Sequence, residues 1–359
     1  MSAARGPARL LAGCLTSVAV LLLLESVWRI WLLHVAPEEK LAKYGRTEDI
    51  PLERRKYVPH PYLGYALNPA YRSADGLNRH NALGFRGEEI EVAKPAGVFR
   101  IACLGGSTTY DVEIEDWRRS FPAQLETVLR EERGHPEVRV VNAGVGGYNS
   151  WETLVNLELR VLQLAPDLVI LYDNANDAHA RFVPPESYRR DGTGHRHAWK
   201  DEYPWWDHSL LVRYFGVQWG FSPRNTLEER TKCPVPEALD RLAALDANPP
   251  AYFEDNLDDM IVLAGSHGAR VMLASFAYCD ARGGYAAEPY YARAFQEHDE
   301  VLRRAAERTG AAFYDFRAAM PAGTQYWVDG VHHNELGART KAELFAAFVA
   351  ERFLAPKER

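Results

Sequence analysis

From Phe99 onward the chain alternates short apolar runs with stretches of helical spacing, and no other feature constrains its fold so tightly. Phe99–Leu104, which ends in Gly105-Gly106, is the first strand candidate. Val138–Val141, Leu168–Tyr172, Val271–Ser275 and Ala311–Asp315 are the next four. Phe121–Glu132 has helical spacing, and Asn149 or Ser150 can cap a helix that runs to Leu164 and is closed by Pro166. Helical stretches precede the fourth and fifth strands, and a last helix is predicted from about Glu335 to the C-terminus. Such alternation requires a mostly parallel sheet covered on both faces. In sheets of that kind ligands bind beyond the C-terminal strand ends. Arg181 to Pro250 interrupts the pattern and is too long for a simple connection. This insertion carries Trp199, Trp205, Trp206 and Trp219, whose rings serve either a substrate wall or the insertion's own core.

The N-terminus obeys a different rule. Leu10 to Leu24 contains no charged residue, and nineteen residues separate Arg9 from Arg29. As a helix these span about 28 Å, the hydrocarbon thickness of a bilayer. Glu25, the one charge inside, stands four residues before Arg29, so the two can pair on one helix face close to the membrane surface. Trp28 and Trp31 suit an aromatic belt there. A buried amphipathic helix is the competing reading. No Ala-x-Ala-like site follows the apolar run, so an uncleaved transmembrane anchor over 1–36 is expected. Leu11-Ala12-Gly13-Cys14 has the outline of a lipobox, but its apolar run follows the cysteine, and the match is accidental. Arg5 and Arg9 precede the span, whereas Arg29, Lys40, Lys43 and Arg46 follow it, so positive charge alone does not place the body outside. Residues 37–97 are rich in turn signals, including His60-Pro61-Tyr62-Leu63-Gly64-Tyr65 and Asn81-Ala82-Leu83-Gly84-Phe85-Arg86-Gly87, and read as a stalk that packs onto the next domain.

The loops after the strands carry the chemistry. The first is Gly105-Gly106-Ser107-Thr108-Thr109, where glycines let a tight turn lift a hydroxyl above the sheet. The second is Asn142-Ala143-Gly144-Val145-Gly146-Gly147-Tyr148-Asn149, and the third is Asp173-Asn174-Ala175-Asn176-Asp177. Asp329-Gly330-Val331-His332 follows the fifth strand. All four fall at one predicted sheet edge. A serine hydroxyl needs a base, and His332 can serve near neutral pH, since free imidazole has a pKa of about 6.5. Asp329 can hold the imidazole tautomer. The amides of Ser107 and Gly147 and the side chain of Asn176 can supply oxyanion donors.

With these blocks in this order, roughly from Val98 to Val349, the chain resembles the SGNH hydrolases, a branch of the GDSL-type esterases. The resemblance implies a three-layer α/β/α sandwich with a mostly parallel five-stranded sheet, preceded here by the transmembrane helix. It implies Ser107 as nucleophile, Asp329 and His332 as its partners, and Ser107, Gly147 and Asn176 as the oxyanion hole. Gly106 stands where the family's name motif has Asp, and Asn174-Ala175 replace the usual small glycine pair. Asn81–Gly87 is similar to the lead-in of membrane-anchored bacterial relatives. By that likeness the protein is expected in the inner membrane with a single span and an extracytoplasmic catalytic domain over 98–355, the insertion lying at about 181–250.

Several neighbours need a role. His333 adjoins His332 and is an alternative base, although the spacing favours His332 and leaves His333 behind it or on the surface. Asp177 is expected to fix the asparagine loop, and Asp111 and Asp173 to be solvated loop carboxylates. Cys103 should be a buried strand residue. Cys233 and Cys279 could pair in an oxidising compartment. The chain has 359 residues and a net charge of −7, an acidic balance that argues against a nucleic-acid partner. No metal or organic cofactor is implied. The expected activity is hydrolysis of a carboxylic ester, such as an O-acetyl group on a surface glycan, through an acyl-enzyme. An O-acyltransferase with a glycan acceptor and a non-catalytic glycan-binding or assembly protein are the alternatives.

Overall fold

The computed structural model describes residues 5–355, which form two compact units. The larger comprises Lys56–Ala198 and Lys232–Arg359, and the smaller Met1–Arg55 and Trp199–Thr231.

In the larger unit a short antiparallel hairpin, β1 (Tyr57–His60) and β2 (Gly64–Leu67), precedes the main sheet. The five sheet strands are β3 (Phe99–Gly105), β4 (Val138–Asn142), β5 (Leu168–Tyr172), β6 (Arg270–Ala274) and β7 (Ala312–Tyr314). All neighbours run parallel, in the order β4-β3-β5-β6-β7. The chain therefore winds outward one way from β3 to β4 and the other way from β5, and the topological switch point lies between β3 and β5. Gly105 pairs with Tyr172, so β3 and β5 end level, while β4 ends earlier, with Asn142 opposite Cys103.

Alternation along each strand makes the layers. Ile101, Cys103, Leu168, Ile170 and Met272 join a core with Phe121, Leu125 and Phe345, from helices on one face. Ala102, Leu104, Val169, Leu171 and Leu273 join the opposite core with Leu157, Leu257 and Val301. Asn149 caps the helix that starts at Ser150, with Glu152 reaching back to the Asn149 amide in a full capping box. The expected three-layer α/β/α fold and all five strands are present, and Cys103 is a buried residue of β3.

In the smaller unit a 30-residue helix, Arg5–His34, exposes the leucines and valines of Leu10–Leu24. Its apolar stretch is long enough to cross a membrane and is not buried, which removes the buried amphipathic reading; a signal sequence passes the same test. Past Glu25 the helix changes character. Leu32, Leu33 and Ala36 form a core with Leu41, Tyr44, Ile50, Leu210 and Val217.

Two expectations about organisation need correction. Residues 37–97 are not one stalk, because 37–55 belong to the smaller unit and 56–97 to the larger. The insertion also divides, since only 199–231 joins the smaller unit, and its tryptophans do not fill a core. Trp205 and Trp219 are exposed, and Trp206 partly so. Apolar segments around Leu41 and Leu210 hold this unit together without them.

Candidate active site

The Ser107 loop is built by backbone constraint. Gly105 has φ +149°, and a Cβ on it would lie 2.3 Å from the Tyr172 carbonyl oxygen. Only glycine lets β3 turn so sharply against β5. Ser107 then opens a four-residue helical turn, Ser107–Tyr110, which ends at Asp111 in the left-handed region (φ 62°). Beneath this turn Lys341 is buried among the rings of Phe121 and Tyr172, 4.2 and 3.8 Å from their centroids. Its ammonium donates to the Thr108 carbonyl at 3.0 Å.

The Asp329 block folds around its own carboxylate. Oδ1 accepts from the amides of Val331 (2.8 Å) and His332 (2.7 Å), which brings Oδ2 within 2.8 Å of His332 Nδ1. The other ring nitrogen, Nε2, lies 2.8 Å from Ser107 Oγ. These partners assign Nδ1–H as donor to Asp329 and Nε2 as acceptor from the serine hydroxyl. Partial burial opposes ionisation of Asp329. Its hydrogen bonds to His332 and to the two amides outweigh that and hold its pKa at about 2.

The oxyanion candidates lie on the other two loops. Gly147 has φ +86°, and Asn176 Nδ2 donates to the neighbouring Tyr148 carbonyl at 2.8 Å. A primary amide has two N–H groups, so this bond orients Asn176 and leaves a second donor. A Cβ at Gly106 would lie 2.5 Å from Asn176 Nδ2. The departure from Asp at this position therefore has a local reason: the asparagine amide occupies the space next to Gly106.

The structure brings Ser107, His332 and Asp329 into one hydrogen-bonded chain and corrects the expectations for Asp111, Asp173 and the Cys233–Cys279 pair. Asp111 and Asp173 are buried and not solvated. The Asp111 carboxylate accepts from the Phe121 amide, and burial raises its pKa. Asp173 lies beside Asp177; burial, and then the charge of Asp177, push its pKa up. Asp177 itself accepts from the Ser150 amide at 3.0 Å, which ties the asparagine loop to the next helix start. His333 is not on the surface. It is buried against Trp327, with ring centroids 4.1 Å apart, and burial drives its pKa well below that of a free imidazole. Cys233 and Cys279 form no disulfide: Cys279 is buried in the sheet's core, and the Cys233 thiol donates to Thr193 O at 3.7 Å.

Sequence reasoning missed the residues that brace these loops. Arg86, buried in the lead-in, donates to the carbonyls of Tyr110 (2.6 Å) and Asp111 (2.9 Å) and fixes the exit of the Ser107–Tyr110 turn. Tyr65 of β2 donates to the Gly146 carbonyl at 2.9 Å, and the Tyr148 hydroxyl donates to the Tyr65 carbonyl at 2.6 Å. Arg196 donates to the Tyr65 hydroxyl. Arginine and tyrosine within turn-rich sequence were the available signals, but their partners are remote in the chain.

The three-layer α/β/α sandwich thus carries a serine, a histidine and an aspartate in one hydrogen-bonded chain, an arrangement suited to acyl hydrolysis. Residues 103–340 match the GDSL-like lipase/acylhydrolase family, and the chain belongs to that family. It is a hydrolase of the esterase type found there. No match was found among curated proteins. Among solved structures it is similar to a lipase/acylhydrolase from Enterococcus faecalis, at 19% identity and a TM-score of 0.43, covering 71% of this chain and 97% of that one. It is also similar to a catalytic mutant of an acetylxylan esterase from Geobacillus stearothermophilus, at 15% identity and a TM-score of 0.43, covering 71% and 95% of the respective chains.

Proposed function

We propose that the protein is a membrane-anchored serine esterase that cleaves a carboxylic ester through an acyl-enzyme. The observation that carries this reading is the hydrogen-bonded chain from Ser107 Oγ through His332 to Asp329, with 2.8 Å at each link. Ser107 Oγ attacks the ester carbonyl while its proton passes to His332 Nε2. Asp329 stabilises the resulting imidazolium. The negative oxygen is met by the amides of Ser107 and Gly147 and by Asn176. Collapse of the intermediate breaks the ester C–O bond, and His332 returns the proton to the leaving alcohol. Water then enters by the same route, giving up its proton to His332, and the acid is released with Ser107 restored. A glycan O-acetyl ester is the substrate we assign to this site. Retention of the helix 5–34 is supported by Leu32 and Leu33, which are core residues of the smaller unit and would be lost with a cleaved leader.

The test is direct. Wild type should turn over a short-chain aryl ester and label with a fluorophosphonate; Ser107→Ala should do neither while retaining the wild-type circular dichroism spectrum. Wild type that never labels would remove the enzyme reading. With an acetylated donor and a glycan acceptor, release of free acetate alone supports hydrolysis, and an acetylated acceptor would make the protein a transferase.

A further inference from the structure

Within the smaller unit the helix Leu210–Gln218 is apolar on two faces. Leu210, Gly216 and Val217 face inward, and Arg213 among them is fully buried, bonded to the Tyr44 carbonyl and to Asp207. Val212, Phe215 and Trp219, spaced as one helical stripe, face outward with 47, 43 and 68% of their surface exposed. Phe221, just past the helix, is exposed as well. A water-facing helix puts polar groups on that side, whereas a helix apolar all round is covered by protein or lipid.

The position of this stripe on the long N-terminal helix identifies what covers it. Glu25 caps the short helix: its carboxylate accepts from the Leu210 and Leu211 amides at 3.0 and 2.9 Å and from Ser209 Oγ at 2.7 Å. Trp28 Nε1 donates to the Leu210 carbonyl at 3.1 Å, and its ring packs on Tyr214 at 4.7 Å. Arg29 donates to the His208 carbonyl at 2.7 Å. These bonds pin the start of the helix where the uncharged run Leu10–Leu24 ends, which is the level of lipid headgroups if the run crosses a bilayer. Exposed aromatic rings favour that zone, having an apolar body and, in tryptophan, a polar edge.

We propose that the Leu210–Gln218 helix is an interfacial membrane helix, its Val212–Phe215–Trp219 stripe and Phe221 seated in the headgroup and upper acyl-chain region of a phospholipid bilayer. The lone acid of the span is then the clamp that holds this helix beside it. Interfacial helices sink roughly 5–10 Å below the headgroup boundary. The inference rests on the reading of 5–34 as a membrane span.

The experiment reconstitutes the full chain in phosphatidylcholine/phosphatidylglycerol vesicles that contain a phospholipid with a diazirine in its acyl chain. After illumination, adducts are mapped by mass spectrometry. Adducts are expected on Leu10–Leu24 and also on 212–221. Adducts on Leu10–Leu24 alone would overturn the interfacial helix and leave the span standing. Adducts on neither segment would overturn the membrane reading together with the inference. A Trp219→Ser/Phe221→Ser variant should lose at least half of the 212–221 adducts while turnover of a soluble aryl ester stays at the wild-type level. Undiminished adducts in that variant would also overturn the proposal.

Discussion

Gly106 shows how little room the site leaves. Any side chain there displaces the Asn176 amide, whose Nδ2 would lie 2.5 Å from the new Cβ. Restoring the family's own residue, Gly106→Asp, should therefore reduce kcat instead of improving it, by about 10²-fold if the oxyanion donor is lost. Steady-state kinetics on an aryl ester decide this, and a variant as active as wild type would show that Asn176 does not need its present position. Lys341 gives a second test. Burial pulls its pKa down to about 8, although the charge of Asp111 works the other way. Below pH 8 the lysine is protonated both folded and unfolded. Between about 8 and 10.5 the folded protein has released a proton that the unfolded chain still holds, so stability rises with pH across that window. Lys341→Met should lack this rise, a difference on the order of 3 kcal/mol. Thermal unfolding at pH 7.5 and pH 10 measures it. At this scale the hydrogen-bonded chain of Ser107, His332 and Asp329 was legible, from the glycine turn before Ser107, the Asp-x-x-His spacing and the family resemblance together. The burial of Asp111, Asp173 and Lys341 was not legible, because it depends on which residues the sheet brings underneath them.

At the scale of elements, the hairpin and lead-in are braces for loops that look self-sufficient in sequence. Arg86 serves carbonyls 24 and 25 residues further on, and Tyr65 a carbonyl 81 residues away. Periodicity finds strands such as Leu168–Tyr172 because burial is local and repeated. It does not find single side chains that close remote loops. Arg86→Leu leaves buried carbonyls without a donor and should cost roughly 3 kcal/mol or more. Arg86→Lys should recover only part, since an ammonium does not reproduce the planar fork. Heat inactivation of esterase activity would rank wild type, lysine variant and leucine variant in that order. Equal half-lives would remove the bracing role.

Over the whole molecule, the five strands followed from alternation, but their order in the sheet and the partition of the chain did not. A boundary read from composition cuts sequence once, whereas this fold assembles its smaller unit from two segments, Met1–Arg55 and Trp199–Thr231. The segment at 199–231 has no composition that announces its partner. Orientation is testable at the same scale: a reporter active only outside the cytoplasm, fused after Pro37, should be active, and an inactive fusion would place the body inside. The Glu25 cap adds a constraint on biosynthesis. Its partners at Leu210 and Leu211 are 185 and 186 residues downstream. At about 5–20 residues per second they leave the ribosome roughly 10–40 s after the glutamate. During that interval Phe99–Gly105, Val138–Asn142 and Leu168–Tyr172 are made and can begin pairing, while the glutamate already has Arg29, four residues on, and Arg29 in turn has Asp49. The N-terminal helix is thus made well before the partners that complete its unit, so a ribosome stalled before Ser209 would leave Glu25 without them.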